Sequence, residues 1–468
     1  MLHIANATVR RIPTGGHPMK AKSEGRFGLG GAIRTIAVAA AFIAAASASS
    51  IAEERVKLTA IFLPATWGTV VRDVLAPEYA AANNIDIEIQ LIGRDAIHEK
   101  LATLFAAEDS SFDIFNIDYG WTPEFGRSKF FLPLDDLLSK EDRADFLPQA
   151  LGTGTWDGVL YGMPQTIHPH ILWYRKDLYG DPAIRAKYKA ATGLDLAAPL
   201  TMNEWMTQVK FFNGKEFNGK PVYGWAAQAA KGYGNIHTWL SFLYDFGSSP
   251  FNEDFTKSTL STPKGIAATK FWAEMMQYMP PGSADYTYDN VTTAAQQGVI
   301  ATAMQWSWGA FAVDIPDSSK TVGDWDYVQV PPVEAGGVSR THLAAWVIGV
   351  SKFSKHPEEA KKFVAWLETK KNDVRQAQLG GGDPVRRSSY GNEALMTEKL
   401  PGTDVLRFRR YPATLAAMET TAYRPFFARE EGWETVVTGI LQSISLGQTT
   451  TEQGLAEADA AVNRWLQR

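Results

Sequence analysis

Apolar positions follow two spacings that alternate along the chain after residue 55. Short apolar runs predict strands at Leu58–Leu63 and Phe112–Asp118, and a strict alternation of apolar and polar residues predicts another over residues 85–91. Helical spacing predicts a helix at Asp95–Ala107 between the second and third strands. Strands that alternate with helices in this way are typical of parallel βαβ units, so the pattern indicates an α/β fold.

The same alternation continues through the rest of the chain. A polar stretch at Gln165–His170 precedes an apolar strand and is a candidate hinge crossing between two halves of the molecule. The further elements predicted from apolar spacing are helices at Met202–Phe211, His237–Phe246 and Gly265–Met279, strands at Val299–Met304 and Ala344–Val350, a helix that begins at Pro357, and a C-terminal helix at Ala456–Leu466.

Length and composition indicate a packed protein of two or more domains. The chain has 468 residues, of which 45% are hydrophobic and 21% charged, and one domain usually takes about 100–200 residues. The 15 tryptophans, 16 tyrosines and 24 phenylalanines are more than a plain core requires. Because the tryptophan N–H needs a hydrogen-bond partner, some of these rings are expected to line a cleft.

The first fifty residues have the layout of a secretory signal peptide. Basic residues follow Met19, an apolar run covers Ile36–Ala46, and small residues come next. The run of about a dozen residues is short of the ~20 that span a bilayer. We therefore expect residues 1–52 to be a signal peptide that is removed by cleavage after Ala52 or Ala48. Translation starts at Met1 or Met19, and the mature protein is expected to lie in the periplasm.

Composition also removes several classes of function. The chain has no cysteine and a net charge of -5, which excludes thiol chemistry and gives no basic footprint for nucleic acid. The glycines at 380–382 lack the Lys and Ser/Thr of a phosphate loop, and no Gly-x-Ser-x-Gly occurs. No cofactor and no catalytic residue is predicted, although a carboxylate pair of a glycosidase stays open as an alternative.

Candidate binding residues follow the predicted strands, because ligands of such sheets bind beyond the strands' carboxyl ends. Aromatic rings suit sugar faces, and carboxylates or amides suit sugar hydroxyls. An alternative role of the aspartate in this set is to cap the next helix. The residues at these ends are Thr66, Trp67, Asp118, Tyr119 and Trp121.

Two further groups carry the same chemistry. Trp306 and Trp308 lie two apart at a strand end, so their side chains are expected to point the same way and form a stacking platform, or else to pack on the next helix. His168 and His170 flank a proline and favour hydrogen bonding in a cleft over a metal site, since no carboxylate pair accompanies them. Asp383 follows a glycine-rich break together with Arg386 and Arg387, of which one arginine is expected in the cleft.

Six segments in order resemble the maltose-binding-protein superfamily of carbohydrate receptors. They are FDIFNIDYGW at Phe112–Trp121, LPLDDLL at Leu132–Leu138, YGMP to LWYRKDLY within Tyr161–Tyr179, MQWSWG at Met304–Gly309, AAWVIGVSKFSKHPEEAKKFVAWL at Ala344–Leu367 and GGDPVRRSSY at Gly381–Tyr390. The resemblance implies two α/β lobes joined by hinge-crossing strands, with a ligand cleft between them. It assigns 53–166 and 331–378 to the N-terminal lobe, and 167–330 and 379–468 to the C-terminal lobe.

The resemblance also implies a role and partners. It predicts a monomeric receptor that delivers a sugar or polyol to a membrane permease with a cytoplasmic ATPase. By position it adds Gln228 and Trp346 to the binding residues, with Trp306 as the stacking aromatic and Asp383 with Arg386 as readers of a terminal hydroxyl. Two departures from the family pattern leave the identity of the ligand open: Ala344 and Ala345 stand in place of the usual Gly-Gly, and histidines stand in place of the common acid at the crossing. A secreted carbohydrate-active enzyme and a receptor for a charged solute remain alternatives.

Overall fold

The computed structural model describes residues 55–217, 219–427 and 431–467, and Val56–Arg468 form one compact unit. The predicted signal peptide at 1–52 lies outside the described residues. Within the described ranges, no helix is both long enough and apolar enough to cross a membrane.

The strands are labelled in chain order and run from two to thirteen residues. They are β1 (Lys57–Phe62), β2 (Asp86–Leu91), β3 (Ile114–Asp118), β4 (Thr155–Trp156), β5 (Val159–Leu160), β6 (Met163–Arg175), β7 (Lys215–Phe217), β8 (Lys220–Ala226), β9 (Ile300–Trp306), β10 (Trp325–Val328) and β11 (Leu343–Val350).

The helices are labelled in the same way. They are α1 (Thr66–Val70), α2 (Ala76–Asn83), α3 (Arg94–Ala106), α4 (Thr122–Arg127), α5 (Lys140–Asp145), α6 (Pro148–Gly154), α7 (Lys176–Gly180), α8 (Pro182–Thr192), α9 (Met202–Phe212), α10 (Tyr233–Asp245), α11 (Pro263–Met276), α12 (Tyr288–Gln297), α13 (Pro357–Leu367), α14 (Lys370–Gln378), α15 (Glu393–Thr397), α16 (Tyr411–Thr420), α17 (Glu431–Ser445) and α18 (Thr451–Leu466). Val71–Leu75 is π-helical, and 3₁₀ turns include Tyr119–Trp121 and Ser307–Asp314.

Most strands join one mixed sheet with the order β2-β1-β3-β11-β6-β9-β8-β7, and β10 pairs with β6. Strand β1 is parallel to both β2 and β3, as the alternation of strands and helices predicts. Strand β11 is antiparallel to its neighbours β3 and β6. The α/β class is therefore confirmed, and the sheet is mixed because the chain returns through β11 from the opposite end.

Strand β6 connects two halves of the molecule. Its first part pairs with β11, and its second part pairs with β9 and β10. The prediction of a separate polar link at Gln165–His170 is wrong in this respect, because these residues lie inside one continuous strand of 13 residues. Polar side chains are tolerated there since they find partners: the Gln165 amide oxygen accepts from Asn116 Nδ2 at 2.9 Å, and Thr166 donates to the Asp383 carbonyl.

Two large hydrophobic cores lie on either side of this crossing. Ile167 belongs to the first core with the residues of β1, β3 and β11, whereas Ile171 belongs to the second with those of β8 and β9. Val385 and Phe408 pack in the first core, and Trp433 packs in the second. The two-lobed architecture follows from these cores, while the residue boundaries of the lobes stay a prediction.

Local signals account for several helix bounds. In α13 the residues at i, i+3, i+4 and i+7, which are Ala360, Phe363, Val364 and Leu367, are fully buried, as their spacing predicts. Helix α18 begins at Thr451, five residues before the predicted start, because the Thr450 side chain accepts a hydrogen bond from the Gln453 N–H and caps the first turn.

Candidate functional site

One face of the central strands forms the floor of the site. Successive side chains of a strand point to opposite faces. In the pairing of β11 with β6, Ala344 is opposite His168 and Trp346 is opposite Thr166, while the odd-numbered neighbours Ile167 and Ala345 belong to the first core. The even-numbered residues therefore share the other face.

This face continues across β9 and toward the start of β11. His170 pairs with Trp306, and its N–H donates to the His342 carbonyl at 3.1 Å, so the ladder extends beyond Leu343. We call this surface the cleft face; it consists of Thr166, His168, His170, Trp306, His342, Ala344 and Trp346.

Ala344 marks the open part of the cleft face. Every other residue of β11 is buried, and Ala344 alone in that strand is partly exposed. Its methyl group is the smallest side chain on the cleft face, and the large rings of Trp346 and His168 flank it. Ala344 is therefore the accessible point of the cleft face.

Trp67 covers this floor from the first lobe. It lies in α1, directly after the loop that follows β1, and is 5% exposed. Its ring centroid is 5.4 Å from that of His168, 5.3 Å from Trp308 and 5.9 Å from Trp346. Trp308 in turn stacks on Tyr288 at 5.5 Å. These rings form an aromatic cage from elements of both lobes.

Polar atoms of the cage lack hydrogen-bond partners among the described residues. They are Thr66 Oγ1, Trp67 Nε1, His168 Nδ1 and Trp308 Nε1, and all four atoms are buried. Native proteins pair the large majority of their buried polar groups, so four unpaired atoms in neighbouring side chains need a reason. A bound solute that carries hydroxyl groups supplies both donors and acceptors for them.

Asp383 reaches the cage but is already paired. Its carboxylate accepts from Ser307 Oγ at 2.5 Å and from Arg410 Nη2 at 2.7 Å, and the side chain is fully buried. Burial by itself raises the pKa of this carboxyl, but Arg410 outweighs it and holds the pKa below the ordinary value. His168 Nδ1 lies 3.6 Å away, beyond a normal hydrogen bond.

Asp118 forms a second ionic group at the end of β3. It is bonded to Arg424, accepts from Arg94 Nε at 3.0 Å, and also caps the turn after β3 by accepting from the Gly120 N–H. Burial raises the pKa of Asp118, yet Arg424 and then Arg94 outweigh it and keep the pKa low. The capping role is thus observed together with a structural ion pair, and the binding role of Asp118 stays a prediction.

Arg94 also links Asp118 to the second lobe. Its guanidinium lies 5.3 Å from the Trp121 ring centroid and 5.1 Å from that of Tyr233, which begins α10. Beside these three side chains is a cavity of about 470 Å³, which Lys231 and Glu434 also line. Trp121 is the predicted site residue at this cavity, and its ring is 6.4 Å from Trp346.

The two tryptophans of the predicted platform face different partners. Trp306 ends β9 and stacks on His170 with a centroid distance of 3.7 Å, whereas Trp308 lies in the 3₁₀ turn and packs against Trp67 and Tyr288. The expectation that both point the same way is wrong, because extended backbone stops at Trp306. Burial lowers the pKa of His170 to about 3, so the ring stacked on Trp306 is neutral.

The remaining predicted residues lie around or outside this group. Gln228 donates to Gln305 Oε1 at 3.0 Å next to Trp306. The Tyr119 hydroxyl accepts from the Arg424 backbone N–H at 3.0 Å. Arg386 is not brought to the cleft face: it donates to the Glu368 carbonyl at 2.7 Å and lies over Phe146.

Sequence reasoning missed several residues of the site. Arg94, Arg410, Arg424, Tyr288, His237 and His342 carry no local motif, and their partners are distant in sequence. No group of three or more His, Cys, Asp or Glu side chains in the described part of the chain could hold a metal ion. Arg94, Arg410 and Arg424 also lie outside the six segments that carry the resemblance, so the sequence offered no signal for them.

Two lobes joined by a crossing strand, with aromatic rings and polar atoms gathered between them, define a binding protein. Residues 66–374 match the family model of bacterial extracellular solute-binding proteins. Because this match covers more than half of the chain, the protein belongs to that family.

Curated relatives of the chain differ in the solutes their names give. A probable amino-acid ABC transporter periplasmic-binding protein of Sinorhizobium fredii is 25% identical, over 70% of this chain and 72% of the relative. A mannitol-binding protein of Pseudomonas aeruginosa is 20% identical, over 82% of this chain and 87% of the relative.

Solved structures share the fold. An ABC transporter solute-binding protein of Agrobacterium radiobacter in complex with ribitol superimposes with a TM-score of 0.73 at 22% identity, over 88% of this chain and 98% of the other. The predicted two-lobed fold is confirmed by this likeness.

Proposed function

We propose that the chain is the substrate-binding component of an ABC-type importer and binds a neutral sugar or polyol between its two lobes. The observation that carries this proposal is the aromatic cage, with four buried polar atoms that lack partners. Stacking against Trp67 or Trp308 suits the apolar side of a sugar, and the unpaired donors and acceptors suit its hydroxyls.

We infer an uncharged ligand because the ionic groups at the site are already paired with one another. Asp383 is matched by Arg410, and Asp118 is bonded to Arg94 and Arg424. Each carboxylate is already hydrogen-bonded to a guanidinium, so a charged ligand would have to compete with these buried bonds. The mannitol named for one relative and the ribitol bound by one structural neighbour are solutes of the neutral class.

A charged solute is the second candidate. The amino-acid transport named for the Sinorhizobium fredii relative, together with Arg94 and Lys231 beside the 470 Å³ cavity, favours it.

We propose further that the protein acts in the periplasm as a monomer without catalytic activity, and that it docks on a permease whose ATPase is cytoplasmic. Closure of the lobes around the solute is then a shift of population toward a state that the ligand stabilises.

The direct test is calorimetric titration of the mature protein with ribitol, D-mannitol, maltose, glycine and L-glutamate. We expect saturable heat from a neutral carbohydrate or polyol, with no chemical change in the recovered solute. Binding of glycine or L-glutamate in preference to every neutral solute would overturn the proposal and favour the second candidate.

A paired substitution connects binding to the cage. Trp67→Ala is expected to weaken binding of the best neutral solute by about thirtyfold or more, because a buried aromatic anchor commonly contributes 2 kcal/mol or more. Trp366→Ala is the control, since Trp366 packs on Tyr79 and Phe363 away from the cage. Equal affinities of the two variants would contradict the placement of the ligand at Trp67.

A further inference from the structure

Two buried histidines form a bonded pair at one end of the cleft face. His237 of α10 and His342 before β11 are each 1% exposed. His237 Nδ1 lies 2.8 Å from His342 Nε2, and the two ring planes differ by only 8°. A hydrogen bond between two neutral imidazoles requires that one nitrogen donates and the other accepts.

This bond fixes what the two outer nitrogens can do. His237 Nε2 and His342 Nδ1 are buried and have no hydrogen-bond partner among the described residues. If His237 donates to His342, then His237 Nε2 accepts and His342 Nδ1 carries a hydrogen; if His342 donates, the roles are exchanged. In either tautomer the pair presents one donor and one acceptor.

The pair lies beside residues of the ligand cleft. The Trp306 ring centroid is 5.6 Å from that of His342, 6.1 Å from that of His237 and 3.7 Å from that of His170. His342 precedes the partly exposed Ala344 by two residues on the cleft face.

The surroundings keep both rings neutral. Burial lowers the pKa of His237 well below the ordinary value, and His342, Arg424 and Arg94 act in the same direction. Burial also lowers the pKa of His342, with His170 and Arg424 acting in the same direction and the Ala422 backbone acting against them. The other polar groups that face the pair are the Ser241 hydroxyl, which accepts from the His342 backbone N–H, the backbone of Ala422, which pairs with His342, and the Tyr233 and Tyr244 rings.

We propose that His237 and His342 form a hydroxyl-binding subsite, which selects a neutral polyhydroxy solute over a carboxylate or an ammonium group. A hydroxyl both donates and accepts and can therefore satisfy both outer nitrogens, whereas a carboxylate only accepts, an ammonium only donates, and either leaves one nitrogen unpaired. This inference rests on the proposed function and names the groups that read the solute.

Two substitutions of one residue separate ligand contact from structural support. The amide of asparagine falls near the Nδ1 position of a histidine, and that of glutamine near the Nε2 position. His342→Asn thus keeps a polar group at the outer nitrogen and loses the bond to His237, while His342→Gln keeps that bond and loses the outer nitrogen. The probe is whichever of ribitol, D-mannitol and maltose binds the unmodified protein most tightly, measured by calorimetry.

We expect His342→Gln to weaken binding by about tenfold to a hundredfold, as the loss of a partner in a buried hydrogen bond does, and His342→Asn to weaken it less. His356→Gln, at the start of α13 and remote from the cleft face, should bind like the unmodified protein. If His342→Gln does not fold, the affinities of the Asn and Gln variants are compared at His237 instead. His237→Gln keeps a polar group at the outer Nε2 position and should bind the probe more tightly than His237→Asn.

The outcomes distinguish this inference from the proposed function. An unmodified protein that binds none of the three probes overturns the proposed function and the subsite together. A protein that binds a probe, but whose Asn and Gln variants bind equally or in the reverse order, overturns the subsite alone.

Discussion

The cleft contains two kinds of buried polar group, ionic and uncharged, and they differ in whether they have hydrogen-bond partners. The ionic groups are bonded to one another: Asp383 to Arg410, and Asp118 to Arg94 and Arg424. Trp67 Nε1, Trp308 Nε1 and one ring nitrogen of each of His168, His170, His237 and His342 are buried at the same site without hydrogen-bond partners among the described residues. A buried charge is too costly to leave alone, whereas an unpaired neutral group costs about 1–3 kcal/mol.

This difference indicates a division of roles. The ion pairs hold the loops that follow β3 and α14 in place, and the neutral groups remain available to a solute. Under the proposed function, a ligand at the aromatic cage is selected by donors, acceptors and ring faces, because the ionic groups Asp383 and Asp118 are already paired.

The largest effect is expected from breaking an ion pair. Arg410→Met leaves Asp383 buried without its cation and should lower the free energy of unfolding by about 3–5 kcal/mol. Arg387→Met removes an exposed bond to Glu419 and should cost about 0–1 kcal/mol. Urea denaturation of both variants measures the difference, and equal losses would contradict a structural role of the Asp383–Arg410 pair.

A smaller effect is expected in the pH dependence of stability, which tests whether His170 is held neutral in the fold. His170 has an ordinary pKa near 6.5 when unfolded and a pKa of about 3 in the folded protein. Below pH 6.5 the unfolded chain therefore binds a proton that the folded chain does not, and the stability that is complete above pH 6.5 falls as the pH decreases toward 3. At pH 5 this single residue should lower the free energy of unfolding by about 2 kcal/mol.

The comparison uses His170→Asn and His356→Gln. Between pH 7.5 and pH 5, His170→Asn should lose less stability than the unmodified protein, and His356→Gln should lose the same amount. An unchanged dependence on pH in His170→Asn would mean that His170 is not held neutral by burial.

Periodicity was sufficient for elements whose two faces differ. The alternation over 85–91 and the apolar stripe of α13 predicted β2 and α13 because one side of each faces a core and the other faces polar surroundings. It failed for β6, where Pro164, Pro169 and several polar residues suggest a link. In the folded chain Thr166, His168 and His170 belong to the cleft face, so the polar residues that obscured the strand are those of the candidate site.

Long-range pairing accounts for what the sequence could not supply. Asp383 was predicted from its glycine-rich neighbourhood, but its partner Arg410 lies 27 residues later, and Arg424 lies 306 residues from Asp118. Arg386, only three residues after Asp383, points instead to Glu368 and Phe146. Such a division between adjacent residues depends on tertiary packing and has no signal in local spacing.

The central claim is that the cleft face, which includes His168 and Ala344, binds the solute and that the opposite face, which includes Ile167 and Ala345, supports the fold. Ala344→Val and Ala345→Val place the same two methyl groups on opposite faces, and calorimetry with the best neutral solute, together with urea denaturation, measures both effects. We expect Ala344→Val to weaken binding by about tenfold or more with little change in stability, and Ala345→Val to destabilise the protein by about 1–3 kcal/mol through overpacking. Normal solute affinity in Ala344→Val would contradict the claim.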